Sequence, residues 1–96
     1  MQRDEIVGRL AGSRDLLTRF GMKELYLFGS AVRNEASENS DIDLLVDFEQ
    51  PASLFAFVRL QREIEAVLGR RVDLVTRLAL KPNLRDRILR EAIRAA

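Results

Sequence analysis

Residues 28–49 read FGSAVRNEASENSDIDLLVDFE, a stretch that combines a turn signal, acidic residues and an apolar run. A Gly-Ser step comes first, and eleven residues after its serine, two aspartates flank one isoleucine at the start of an apolar run. Nearly continuous apolar character predicts a strand that is buried on both faces and therefore central in a sheet. Carboxylates are costly to bury without a partner, so Asp41 and Asp43 are the first candidates for a functional site.

The hydrophobic pattern on either side of this stretch predicts a small α/β domain. It indicates helices over 3–19, from Ser53 to Gly69 and after Pro82, strands over 23–28, 41–48 and 70–76, and a short helical turn capped by Ser30 and running to Arg33. The connection over 29–40 is short for a regular parallel crossover. We therefore expect a single domain over 1–96, with a mixed sheet of about three strands flanked by helices.

Composition excludes several kinds of chemistry. The sequence contains no cysteine and no histidine, which removes the thiol nucleophile, the disulfide, the commonest general base and the usual zinc ligands. The start of the chain lacks a signal-peptide pattern and no apolar run approaches the length of a membrane span, so a soluble cytoplasmic protein with no membrane partner is expected.

Charge is unevenly distributed along the chain. Residues 1–58 hold 6 basic and 10 acidic side chains, whereas residues 59–96 hold 10 basic and 5 acidic ones. This asymmetry suits a phosphate-bearing ligand or an acidic partner. A solvated, Arg-rich helical surface explains it equally well.

The aspartates have the spacing of a metal site. Side chains at positions i and i+2 of a strand share one face, so Asp41 and Asp43 can lean towards one ion. Mg²⁺ suits them because it prefers oxygen ligands and retains positions for water or nucleotide phosphate. Asp73 lies in a strand that we expect beside the first, and three carboxylates can hold two ions about 3.5–4 Å apart.

The Gly-Ser step has the features of a phosphate-binding turn. Gly29 lacks a Cβ, so its backbone can approach a phosphate closely, and Ser30 adds a hydroxyl and amides at the start of a helical turn. Arg33, one turn later, is a charged donor for phosphate oxygens. A turn without a ligand is the alternative reading.

Structural explanations compete with the functional one at several positions. Asp41 could cap the start of the strand together with Ser40, and Asp73 could pair with Arg70 or Arg71. Asp43, between two apolar residues of a buried strand, is the hardest to explain without a function.

The segment LFGSAVRNEASENSDIDLLVDF, followed by RRVDLVT, resembles the minimal nucleotidyltransferases (MNT domains) of the DNA polymerase beta superfamily. The resemblance extends over essentially the whole chain and implies the polymerase beta-like fold. It also implies that Asp41, Asp43 and Asp73 are catalytic and bind Mg²⁺, with Asp73 helping to deprotonate the acceptor. Gly29 and Ser30 would hold the nucleoside triphosphate, and we include Arg33 and Ser40 in the same nucleotide-binding set.

This resemblance implies a Mg²⁺-dependent enzyme that transfers AMP from ATP to a hydroxyl, expected to be a tyrosine, of a HEPN-domain toxin. The chain would then be the antitoxin of a toxin–antitoxin pair. Asn34 stands where the family usually has Gly, which keeps open an antitoxin that neutralises its partner by binding alone.

Two further activities are disfavoured. Small-molecule nucleotidyltransferases carry an additional helical domain, and an RNA-end-modifying enzyme would need an aromatic stacking surface. The sequence predicts neither feature. Nucleic acid is therefore not expected as a direct partner, and the oligomeric state is left open.

Overall fold

The computed structural model describes residues 1–35, 37 and 39–95, so positions 36 and 38 of the predicted loop lie outside the described residues. The elements, in chain order, are helix α1 (Arg3–Ala11), helix α2 (Asp15–Phe20), strand β1 (Met22–Phe28), a 3₁₀ helix that we call the Gly-Ser turn (Gly29–Arg33), strand β2 (Ile42–Phe48), helix α3 (Leu54–Leu68), strand β3 (Val72–Thr76), a second 3₁₀ turn (Arg77–Ala79), helix α4 (Pro82–Glu91) and strand β4 (Ile93–Arg94).

The strands form one mixed sheet in the order β3-β2-β1-β4. Strands β1 and β2 are antiparallel, as are β1 and β4, whereas β2 and β3 are parallel and are joined through α3. The predicted mixed sheet flanked by helices is confirmed. Strand β2 has a neighbour on each side, as its apolar sequence indicated.

The core lies between one face of the sheet and helices α1, α2 and α3. From β2 it receives Ile42, Leu44 and Val46, all fully buried, as alternation along a strand requires. Leu45 points to the opposite face and is buried as well. Asp43 belongs to this second face and is only partly buried, so the polar end of β2 opens away from the helical layer.

The predicted helix over 3–19 is wrong as a single element, because the chain turns after α1. The amides of Gly12 and Ser13 donate to carbonyls of the last turn of α1, and α2 starts only at Asp15. A continuous helix would have directed Leu17 to the core, but the turn shifts the phase so that Leu16 is buried and Leu17 is half-buried.

The prediction of about three strands missed β4. The apolar residues near the end of the chain were assigned to the terminal helix, but that helix ends at Glu91 and Ala92 is extended. Ile93 and Arg94 then pair with β1, and the amide of Ala95 donates to the carbonyl of Leu25 at 2.8 Å. This short strand satisfies backbone groups on an edge of β1 that would otherwise be unpaired.

Helix α3 agrees with its sequence signals. The Ser53 hydroxyl accepts a hydrogen bond from the amide of Ala56 at 3.1 Å, and Gly69 ends the helix in the left-handed conformation. Among the described helices, none is long and apolar enough to cross a membrane.

Candidate active site

Gly29 and Asp43 are in direct contact at the end of β1 and the start of β2. The two strands pair so that Phe28, the residue before Gly29, lies opposite Asp43. A Cβ built on Gly29 would lie 3.1 Å from the Asp43 Cγ and would overlap the carboxylate oxygen Oδ2. Gly29 also has φ +75°, a conformation that residues with a side chain rarely adopt. Position 29 therefore disfavours any residue with a side chain for two independent reasons.

Asp43 and Asp73 occupy paired positions on the parallel strands β2 and β3. Paired residues on neighbouring strands project from the same face, with their backbones about 4.8 Å apart. The prediction that the third aspartate lies on a strand beside the first is confirmed. The Gly-Ser turn, Asp43 and Asp73 thus form one row across the face of the sheet that is opposite helices α1, α2 and α3.

The environment of Asp43 disfavours its ionised form. Burial raises the pKa of the Asp43 carboxyl above its ordinary value, and the negative charges of Asp73 and Asp41 raise this pKa further. A divalent cation is the ligand that would remove both effects, because it replaces lost hydration and neutralises like charges.

Asp41 lies immediately before β2 and is directed to an arginine. Its Oδ1 is 3.5 Å from the Nε of Arg71, and both side chains are well exposed. Within the described residues, no group of three or more acidic side chains is arranged to hold a metal ion. The expected cluster of three carboxylates is therefore not assembled as a set of metal ligands. The charges of Asp41 and Asp73 still act on Asp43, and Asp41 has Arg71 as an alternative partner.

Neither arginine considered as a partner of Asp73 pairs with it. Arg71 contacts Asp41, and Arg70 donates to the carbonyls of Ser37 and Ser40 at 2.6 and 2.9 Å. No ion pair between Asp73 and another described residue is observed. An ion pair with Arg70 or Arg71, which the sequence left open as a structural explanation for Asp73, is therefore not found among the described residues.

Ser30 lies inside the Gly-Ser turn rather than at its cap, which corrects the predicted capping role. The turn begins at Gly29, and Phe28 occupies the cap position without a side-chain hydrogen bond. The carbonyl of Ser30 accepts from the amide of Glu35 at 2.9 Å. Its hydroxyl makes no hydrogen bond to any described residue.

Arg33 and Ser40 already have protein partners. The Arg33 guanidinium donates to Glu35 at 3.0 Å and lies 3.5 Å from Glu91 of α4. The Ser40 hydroxyl is 2.9 Å from the hydroxyl of Ser37 and accepts from its amide at 3.3 Å, so Ser40 shapes the loop before β2.

Asn34 ends the Gly-Ser turn in the left-handed conformation with φ +57°. Asn is one of the few residues besides Gly that tolerate this region. Its side-chain oxygen accepts from the amide of Arg3 at 2.7 Å, and an Arg3 nitrogen donates to the carbonyl of Val32 at 3.3 Å. The turn is thereby connected to the start of α1, and Asn34 attains the left-handed conformation that ends it.

Sequence reasoning missed the contacts of Arg70 and Glu91 near the site. Arg70 supports the loop that leads to Asp41, and Glu91 reaches Arg33 from the end of α4. Arg70 contacts backbone carbonyls and Glu91 contacts a charged side chain, and both contacts join residues far apart in the chain, for which the sequence carries no local signal.

The chain is similar to proteins of known family. Residues 12–95 match the Nucleotidyltransferase domain family. The chain is 48% identical over 83 residues to the protein adenylyltransferase MntA of Thermococcus cleftensis, a match that covers 86% of this chain and 84% of that protein.

Solved structures show the same relationship. A structure described as a candidate minimal nucleotidyltransferase matches with a TM-score of 0.85 and 42% identity, covering 97% of this chain and 95% of that one. A chain in the complex of a tri-AMPylated Shewanella oneidensis HEPN toxin with an MNT antitoxin shares the fold, with a TM-score of 0.67 and 21% identity over 92% of this chain and 69% of that one. Because these matches extend over most of the chain, it is a minimal nucleotidyltransferase and belongs to the nucleotidyltransferase-domain family.

Proposed function

We propose that this minimal nucleotidyltransferase is a Mg²⁺-dependent protein adenylyltransferase that transfers AMP from ATP to a tyrosine hydroxyl of a HEPN-type toxin, and so acts as the antitoxin of the pair. The contact between Gly29 and Asp43 carries this proposal. This contact places the backbone of Gly29, which can approach a phosphate closely, beside the carboxyl group of Asp43, whose pKa is raised. The similarity to an MntA adenylyltransferase supports the same assignment.

The donor set fits magnesium in its chemistry. Asp41, Asp43 and Asp73 supply only oxygen ligands. A divalent cation would relieve the repulsion between their negative charges, which contributes to the raised pKa of Asp43. These three residues would hold Mg²⁺, and Asp41 would leave Arg71 to do so. When bound, Mg²⁺ would neutralise charge that develops on the departing pyrophosphate.

In the proposed reaction, the acceptor hydroxyl oxygen forms a bond to the α-phosphorus of ATP. The bond from that phosphorus to the oxygen bridging to the β-phosphate breaks, and pyrophosphate leaves with the electron pair. Asp73 is exposed on the same face of the sheet as Asp43 and accepts the hydroxyl proton. The free hydroxyl of Ser30 and the backbone at Gly29 bind the triphosphate, Arg33 adds a positive charge, and Ser40 orients the loop.

The experiment is incubation of the purified chain with labelled ATP, Mg²⁺ and the protein encoded beside it, which the proposal expects to be a HEPN-domain protein. The wild-type chain should label that protein, and Asp43→Asn, Asp41→Ala and Asp73→Asn should each reduce the labelling rate by about 100-fold or more. Asp47→Asn is the matched control. Asp47 lies on the same face of β2 at its far end, where it pairs with Arg77, and this variant should retain labelling.

Two results would contradict the proposal. If Asp43→Asn labels the partner as fast as the wild-type chain, the row that includes Asp43 and Asp73 is not the active site. If the wild-type and the Asp43 variant both neutralise the toxin without labelling it, the chain acts by binding alone.

The proposed role implies a cytoplasmic protein, because a toxin neutralised by adenylylation must share a compartment with ATP and Mg²⁺. We assign this role to residues 1–96 as one catalytic domain whose acceptor brings its own binding surface.

A further inference from the structure

The start of α3 exposes a group of large apolar side chains. Leu54 and Phe55 are 78% and 77% exposed, and Val58 is 38% exposed one turn later. Arg59 and Arg62 follow on adjoining turns of the same helix and are exposed as well. We call these five residues the α3 patch.

Concave surface surrounds this patch. One groove is lined by the patch itself. A second lies between the patch and the end of α2, where Phe20 and Phe55 contribute to its walls. A third, on the other side of Leu54, is lined by apolar side chains that include Phe48 and Phe57. Grooves beside exposed apolar side chains can receive the side chains of a protein partner.

The charge on the patch indicates the chemistry of its partner. Neither Arg59 nor Arg62 forms an ion pair with a residue in the described ranges, whereas the nearby Arg19 pairs with Asp15 and Glu63. A two-fold contact between copies of this chain would bring the unpaired arginines of both copies together with no patch carboxylate between them. A different protein with acidic residues around an apolar centre complements the patch.

The patch is remote from the candidate active site. Asp43 lies near the start of β2, and the loop to α3 leaves from Phe48 at its other end. Five residues of extended strand separate the two by about 16 Å. A protein bound to the patch would therefore leave the row of carboxylates open to ATP and to a hydroxyl.

We propose that the α3 patch is the docking surface for the protein acceptor, which presents to it an apolar helix face flanked by Asp or Glu side chains. This inference rests on the proposed function, because the acceptor is the HEPN-type partner. Docking and chemistry then use opposite ends of the sheet, and each can be removed without the other.

The test measures binding and labelling of the purified HEPN-domain partner. The variant Leu54→Ser with Phe55→Ser, and separately Arg59→Glu with Arg62→Glu, should weaken binding by about tenfold or more. In labelling, both should raise KM for the partner and leave kcat unchanged, since the site is untouched. The arginine variant should also lose most of the salt dependence of binding.

Matched controls come from α4. Leu84→Ser removes another exposed apolar side chain and Arg87→Glu reverses another arginine of that helix, and neither should change binding. All variants are at positions outside the buried core, so an unchanged melting temperature and an unchanged shift with Mg²⁺ and ATP verify folding.

Three outcomes would overturn the inference. Patch variants that bind the partner as tightly as the wild-type chain would exclude the patch while leaving the proposed function intact. A dimer of the isolated chain that Phe55→Ser dissociates would make the patch a contact between copies. A wild-type chain that neither binds nor labels the HEPN-domain protein would remove both the partner and the proposed function.

Discussion

The backbone of Gly29 lies against the carboxylate of Asp43 with no room between them for a side chain, since a Cβ at position 29 would lie 3.1 Å from the Asp43 Cγ. The Gly-Ser turn, which we propose binds the nucleotide, and the carboxylate that we propose as a metal ligand are therefore coupled by packing. A change at one must move the other.

Gly29→Ala tests this coupling. Alanine in the left-handed conformation should cost about 1–2 kcal/mol of stability, and the new Cβ should also displace the Asp43 carboxylate. We expect the labelling rate to fall by about 100-fold, because misplacement of a reacting group by an ångström has effects of this size.

Gly69→Ala is the control for that experiment. Gly69 has φ +68°, but a Cβ added there would have no neighbouring atom within 4 Å, so this variant carries the conformational cost without the contact. Both variants should lose stability in urea unfolding, Gly29→Ala at least as much as Gly69→Ala, and only Gly29→Ala should lose activity. Equal loss of activity would show that the contact with Asp43 is unimportant.

Asp43→Asn should stabilise the metal-free protein. The raised pKa means that the folded state holds the Asp43 proton more tightly than the unfolded state does. This group therefore destabilises the fold increasingly as pH rises from about 3.9, its ordinary value, through the raised pKa of the folded state, and the penalty is complete above that pKa. Because solvent screens a partly buried carboxylate, we expect a gain of about 0.5 kcal/mol, or about 2–4 °C in Tm.

Thermal unfolding without divalent cations checks this prediction. The gain should be present at pH 7 and absent near pH 3, where the carboxyl is protonated in both states. Asp47→Asn, which breaks the ion pair with Arg77, should be neutral or slightly destabilising at pH 7. Destabilisation by Asp43→Asn would instead indicate that the carboxylate has a structural role.

Arg33→Ala should raise KM for ATP by about tenfold with little change in kcat, because an arginine that binds the triphosphate contributes to substrate and transition state alike. Glu91→Gln should lower KM modestly, since it removes one of the two carboxylates that hold Arg33. Steady-state labelling over a range of ATP concentrations measures both. Arg77→Ala, an ion-paired arginine at the far end of the sheet, should leave KM unchanged.

Patterns within one element could be predicted from sequence, and contacts between elements were harder. The apolar run of β2 indicated a central strand, and the i and i+2 spacing marked Asp43 as a candidate site residue. The register that pairs Asp43 with Asp73 is a property of the assembled sheet. The neighbouring strand could be expected from the fold, but the pairing of Asp41 with Arg71 could not.

The errors concern short elements whose form depends on tertiary packing. The turn between α1 and α2 is made at Gly12, but a single Gly is tolerated within a helix, so the helical pattern continued across it. Strand β4 has only two residues and depends on a free edge of β1. Neither leaves a periodic signal in the sequence.

Asn34 stands where the resemblance to the minimal nucleotidyltransferases predicts Gly, and it ends the Gly-Ser turn with a φ of +57° and a hydrogen bond from the Arg3 amide. Asn34→Gly should keep the turn, lose about 0.5–1 kcal/mol with the hydrogen bond, and label the partner within about threefold of the wild-type rate. Asn34→Val should cost about 1–2 kcal/mol, because a β-branched residue is strained in the left-handed region, and should raise KM for ATP through the adjacent Arg33. Urea unfolding and ATP titrations measure these effects. A rise in labelling of about tenfold or more in Asn34→Gly would show instead that Asn34 suppresses catalysis, and would favour neutralisation by binding alone.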